Sequence, residues 1–257
     1  MNEWSRLKKV VVGNALEEHW PRDDEYFNFI VNASTWPKPF YYDIPNQVIK
    51  EADEDLEQLC EVLDKEGIEV YRTKPGCYNA RDIVFTLGDR KFEAPSPFLY
   101  RRGEREKFNH IFTDVEVLEE GCFDAANLLR FNNKILYLVS FTANLEGAEA
   151  LQNYLGSEYE VIVWDNDLGH GHIDSTILPL NKNTLLCSSP RVNENTLPAF
   201  LKDFKKIWVE DVIPRDFYIF PYASKWIGMN ILSIDPETVI VDSIQVPLKK
   251  QLESEGF

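Results

Sequence analysis

A hairpin, a helix and a strand follow one another in that order repeatedly along this chain. A repeat of this kind limits the fold more than any single motif does. Residues 83–87 and 91–94 read as strands on either side of the tight-turn pair Gly88-Asp89. A charged helical stretch from Arg101 to Ile111 and an alternating run at Val115 and Val117 come next. The order returns with strands 125–130 and 135–139 around Asn132-Asn133, a helix over 145–155 and a strand over 159–164. It returns again with strands 173–180 and 184–187, a helix over 197–204 and a strand over 207–209. A further copy starts near Lys225, with strands 226–234 and 239–241 around Asp235-Pro236 and a helix over 247–253. No such unit can bury its apolar faces alone, so the recurrence predicts a ring of ββαβ modules. An ordinary α+β sheet with hairpins would account for each piece but not for the recurring order.

The N-terminal part reads as half a module. It has one strand, residues 10–12, then an amphipathic helix from Gln47 to Glu66 that ends at Gly67 in a left-handed turn, then a short strand at Ile68 and Val70. The last unit reads as the complementary half, because its helix has no following strand. Closing the ring is therefore expected to need more chain after Phe257, both to finish that unit and to give residues 10–12 a partner. One domain over residues 1–257 is expected.

A net charge of −16 argues against nucleic acid, whose phosphates require clustered Lys and Arg. No apolar run is long enough to span a bilayer, and the opening MNEWSRLKK has no leader pattern, so no membrane is expected and a cytoplasmic location is. Cys60, Cys77, Cys122 and Cys187 form no Cys-x-x-Cys pair and read as buried thiols. Trp4, Trp20 and Trp36 read as packing residues, and the acidic run 51–57 as the wet face of its helix rather than a calcium loop.

Each hairpin opens on a polar residue at the same relative place: Asp82, Asp124, His172 with Asp174, and Ser224. In a ring such positions would share one site. Carboxylates suit a guanidinium, whose planar N–H fork matches two oxygens, and His172 suits proton transfer to and from an amine. Two alternatives stay open from the residues alone. Asp at a strand start is commonly a turn former, and the spacing of His170, His172 and Asp174 could serve a metal. Arg191, after Ser188-Ser189-Pro190, reads as a solvated loop cation.

Five ordered stretches carry a family likeness over nearly the whole chain. They are Glu3-Trp4 to Gly13, Ala80-Arg81-Asp82 with Glu93-Ala94-Pro95, Phe123-Asp124-Ala125-Ala126, His172-Ile173-Asp174-Ser175-Thr176 and Ser224-Lys225-Trp226. Together they resemble the amidinotransferases that act on glycine and arginine. The resemblance implies a five-bladed α/β propeller of ββαβ modules around a central channel, here with its last module incomplete. It implies transfer of the amidino group of arginine to an acceptor amine through a cysteine-bound intermediate, with no cofactor and no metal.

By the same resemblance Asp124 and His172 are catalytic, Asp82 and Asp174 hold the guanidinium, Arg191 pairs with a substrate carboxylate, and Ser224 contacts substrate. The expected partners are arginine and an acceptor amine, and a homodimer is compatible with the likeness. The chain departs from the family pattern at Ala80, at Asn127, where an aspartate is usual, and in the run 167–171 before His172. It also lacks the His-Cys pair that in the family lies beyond the position of Phe257, and none of its four cysteines substitutes for that nucleophile. Two other functions are therefore carried alongside: a guanidino-binding protein without catalysis, and a hydrolase of the arginine deiminase type.

Overall fold

Short alternating apolar runs separated by Gly and Asn turns give small sheets, and the described residues form five of them, each from neighbouring segments of chain. The computed structural model describes residues 2–33, 43–165, 171–215 and 224–257. These belong to two units, residues 8–125 and residues 1–7 with 126–257. Trp36 and His170 lie outside the described residues, as does the 167–170 part of the run before His172.

In residues 8–125, strand β1 (Lys9–Val12) is followed by helix α1 (Glu25–Ala33), helix α2 (Asn46–Lys65) and strand β2 (Glu69–Arg72). The apolar stripe of α2 buries Leu63, and Gly67 turns the chain at φ +74°, a left-handed angle that glycine adopts without steric cost. The chain returns so that β2 lies parallel to β1, with Val10 opposite Val70. Residues 10–12 therefore do have a partner, contrary to expectation, because α2 reverses the chain and delivers β2 to their side. Helix α3 (Ala80–Ile83) leads into strands β3 (Val84–Leu87) and β4 (Arg90–Glu93), whose facing Phe85 and Phe92 rings stack at 5.0 Å. Helix α4 (Leu99–Glu104) passes into a 3₁₀ turn over Arg105–Phe108, and strand β5 (Val115–Val117) then pairs parallel to β4. The stretch from Arg101 to Ile111 is thus not one helix, and Gly103, a poor helix former, sits just before the change.

In the other unit, β6 (Leu128–Phe131) and β7 (Lys134–Leu138) form a hairpin through Asn132 at φ +59°. Helix α5 (Leu145–Leu155) then returns the chain to β8 (Glu160–Trp164), parallel to β7. Strands β9 (Ile177–Asn181), β10 (Thr184–Ser188) and β11 (Lys205–Val209) repeat the pattern, antiparallel then parallel. Strands β12 (Leu232–Asp235) and β13 (Thr238–Ile240) make the last hairpin, followed by helix α6 (Val246–Ser254). Trp4 is a core residue, its ring edge-on to Phe131 at 5.9 Å, and Leu7 N donates to Ile234 O at 2.7 Å.

The helix expected over 197–204 shrinks to a 3₁₀ turn, Ala199–Leu201, held after Pro198 by burial of Leu197 and Leu201 rather than by helix length. The hairpin strands also start later than expected. Residues 125–127 and 225–229 are 3₁₀ turns, and residues 173–176 close a turn with Thr176 N and Ile177 N both donating to Ile173 O. Among the described residues no helix is long and apolar enough to cross a membrane.

Candidate active site

Those late strand starts place the predicted site residues on short helical turns ahead of the sheets, where a side chain is set by local backbone bonds. Asp82 lies in α3, its N–H donating to Asn79 O at 2.9 Å, and its carboxylate is buried. Asp124 is fully buried just before the turn 125–127 and accepts the Ser96 hydroxyl. Arg81, beside Asp82, donates to Ala125 O at 3.1 Å and so ties the two turns together.

The two carboxylates meet a group that the sequence reading passed over. The Arg101 guanidinium donates to Asp82 Oδ2, and its Nε lies 3.9 Å from Asp124 Oδ2. The same guanidinium lies over the rings of Phe98 and Tyr100, at 5.6 and 5.5 Å. Burial works against the Arg101 charge, but Asp82, Tyr100 and Asp124 more than offset it and hold the group well above the ordinary arginine range. Sequence does carry a signal for Arg101. It is the first of two long cations that follow Pro97-Phe98-Leu99-Tyr100, a segment too apolar to stay in water. Close by, burial pushes the Glu104 carboxyl up to about 8, with Arg101 opposing and Glu18, Asp82 and Asp124 adding to the rise. Glu18 is raised for the same first reason, although it accepts Tyr78 N at 2.6 Å.

In the other unit His172, Asp174 and Ser175 occupy the turn before β9, all half-buried. Arg191 is not a solvated cation. Its NH1 donates to Ser175 O and Ser175 Oγ, both at 2.9 Å, and to Thr176 Oγ1 at 3.3 Å, while its guanidinium lies 5.2 Å from the Trp226 ring. Ser224 caps the turn 225–229 by accepting Trp226 N and lies 3.5 Å from Arg191 NH2. Burial lowers the Arg191 pKa to about 10, and no described carboxylate is paired with it. The cation thus stands among neutral oxygens, with Nε buried and without a hydrogen-bond partner among the described residues.

None of the four thiols is tuned for nucleophilic attack. Burial pushes Cys77 and Cys187 up to about 12 and raises Cys60 and Cys122, the latter helped by Asp124. Cys187 lies in β10, the middle strand of its sheet.

Comparison with known proteins gives this arrangement a context. No family model matches the chain. Inosamine-phosphate amidinotransferase 1 of Streptomyces glaucescens is 31% identical over 99% of this chain and 88% of its own length. The L-arginine:L-lysine amidinotransferase of Pseudomonas savastanoi pv. phaseolicola is 26% identical over 99% and 86%. Among solved structures, an inosamine-phosphate amidinotransferase of Streptomyces griseus superposes with a TM-score of 0.86 at 28% identity, covering 99% of this chain and 88% of that one. The dimethylarginine hydrolase DDAH of Pseudomonas aeruginosa, at 16% identity and a TM-score of 0.68, shares the fold alone. The fold class is the α/β propeller of ββαβ modules. The chain belongs to the amidinotransferase family, and so to the transferases.

Proposed function

We propose that this chain binds arginine and passes its amidino group to an acceptor amine. One observation carries the reading: the described residues hold buried and partly buried groups whose chemistry matches each end of arginine. Asp82 and Asp124 bring two carboxylates to the Arg101 guanidinium, and planar carboxylate oxygens of this kind suit the N–H fork of a guanidinium ligand. Arg191 is a partly buried cation paired with no carboxylate among the described residues, which suits a carboxylate ligand. Arginine carries both complementary groups, a guanidinium and a carboxylate.

In this reading Asp82 and Asp174 hold the guanidinium, Arg191 and Ser224 receive the α-carboxylate, and Asp124 and His172 serve the chemistry. The transfer breaks the bond from arginine Nε to the guanidino carbon and forms one from that carbon to the acceptor nitrogen. The departing ornithine amine gains a proton and the acceptor amine loses one, so a single imidazole at His172 can supply and recover it. In the family's route a cysteine thiolate carries the amidino group between the two. None of the four thiols here is set up as a thiolate, so that step is assigned to none of them. That observation also keeps a second reading, arginine binding without turnover.

Incubation with arginine and a panel of inosamine phosphate, lysine and glycine separates the readings by product. Ornithine together with an amidinated amine supports transfer. Citrulline and ammonia would make the chain a hydrolase, and unchanged arginine that still binds would leave the binding protein.

A further inference from the structure

The carbonyl oxygen of Gly171, in the peptide that leads into His172, lies 2.7 Å from Asn127 Nδ2, 2.7 Å from Ser140 Oγ and 2.9 Å from Thr142 Oγ1. A carbonyl oxygen offers two lone pairs, so three donors cannot all be served at once. Counting protons resolves the network. The Thr142 hydroxyl also lies 2.9 Å from Asn127 Oδ1 and gives its one proton there. The Ser140 hydroxyl then gives its proton to Gly171 O, and its oxygen accepts Thr142 N at 3.1 Å. Asn127 Nδ2 has two protons, one for Gly171 O and one for Leu138 O at 3.2 Å or Ser140 Oγ at 2.9 Å. Every donor is used and the Gly171 oxygen receives two bonds.

The next peptide is held from the same segment, because Ile173 N donates to Ala126 O at 3.2 Å. His172 therefore has both flanking peptides bonded to residues 126–127 or their partners. Asn127 is fully buried and Thr142 nearly so, which makes this network costly to leave half-satisfied.

The geometry points to Asn127, seconded by Ser140 and Thr142, as a positioning residue that fixes where the His172 side chain leaves the backbone. The functional weight of this inference rests on the reading of His172 as the group that moves protons. With the partners it has in this chain, Asn127 acts by polarity rather than by size, although an aspartate is usual there in the family pattern. Its Nδ2 faces two carbonyl oxygens, those of Gly171 and Leu138, and a carboxylate oxygen in that place would repel both. A displacement of about 1 Å at a reacting group can cost on the order of a hundredfold in rate.

The test reads His172 directly, by the NMR signals of the histidine ring C–H groups, with the His172 signal assigned by its loss in His172→Gln. In Asn127→Asp the His172 signal moves by more than its linewidth while those of His19 and His110 stay in place, and turnover falls at unchanged arginine affinity. Ser140→Ala and Thr142→Val each remove one donor and produce smaller displacements. They also stand in if Asn127→Asp does not fold. A purely structural role would lower the melting temperature and leave the His172 signal where it is below the transition, and that result in the folded variants overturns the inference. The signal does not depend on substrate. If arginine fails to bind the native chain, the functional reading falls and the positioning result still stands or fails by itself.

Discussion

Glu104 shows what burial does to one carboxyl here. Its pKa in the fold is raised from 4.5 to about 8, so the protonated form is the one the fold favours. The stability this confers is fully present below about pH 4.5 and is lost as pH rises through about 8. Glu18 and Glu93, both raised chiefly by burial, act in the same direction. Glu104→Gln keeps a neutral group in place. It is expected to flatten the fall in chemical-denaturation stability between pH 5 and 9, with a gain on the order of a few kcal/mol at the alkaline end. Equal slopes for variant and native chain would show that Glu104 is not the group responsible. Arg191 gives the converse case. Among the described residues no carboxylate offsets the desolvation of its partly buried charge, so Arg191→Met should leave the melting temperature unchanged or raised. The same change should weaken arginine binding by about tenfold or more, since a charged hydrogen bond is lost. A large drop in melting temperature would mean that Ser175 and Thr176 depend on the cation for their own order.

At the scale of elements, one buried side chain serves two helices. Asp24 Oδ1 accepts Phe27 N at 2.9 Å, which caps α1, and Oδ2 accepts Tyr100 N at 3.1 Å, in the first turn of α4. The helix that carries Arg101 thus gets its cap from a residue far away in sequence, while Tyr26 packs edge-on against Phe98 at 5.4 Å. Asp24→Ala should cost about 1 to 2 kcal/mol and speed amide exchange over 25–33 and 98–104 more than over α2. Uniform loss of protection would refute a local role. At Gly13 an added Cβ would fall 2.0 Å from Tyr78 O, a backbone atom that cannot swing away. Gly13→Ala should therefore be among the most destabilising single changes in the β1–β2 region, as denaturant unfolding would show.

The same elements explain what was legible in sequence. Helix α5 was readable to the residue because its stops are local. The Asn144 side chain accepts Gly147 N, and Gly156 turns the chain at φ +61°. The helix expected over 197–204 was not readable as one turn, since burial of Leu197 and Leu201 has the same spacing in either form. The recurring place of Asp82, Asp124 and His172 before hairpins was readable, and the fold keeps each of them ahead of a sheet. Arg101 was signalled only by the apolar segment it follows, because its role depends on partners that the fold, not sequence spacing, brings to it. Asn127 was visible as a departure from the family pattern, but its partners Ser140, Thr142 and Gly171 converge only once β6 and β7 have paired.

For the molecule as a whole, the repeated ββαβ order and the family membership agree with the proposal that arginine is the ligand. The claim is most directly tested by calorimetric titration of the native chain with arginine, with agmatine, which lacks the carboxylate, and with ornithine, which lacks the guanidinium. Arginine is expected to bind, and both partial ligands to bind at least about tenfold more weakly, each having lost one charge-assisted contact. No heat with arginine, or equal affinity for arginine and agmatine, would contradict the account.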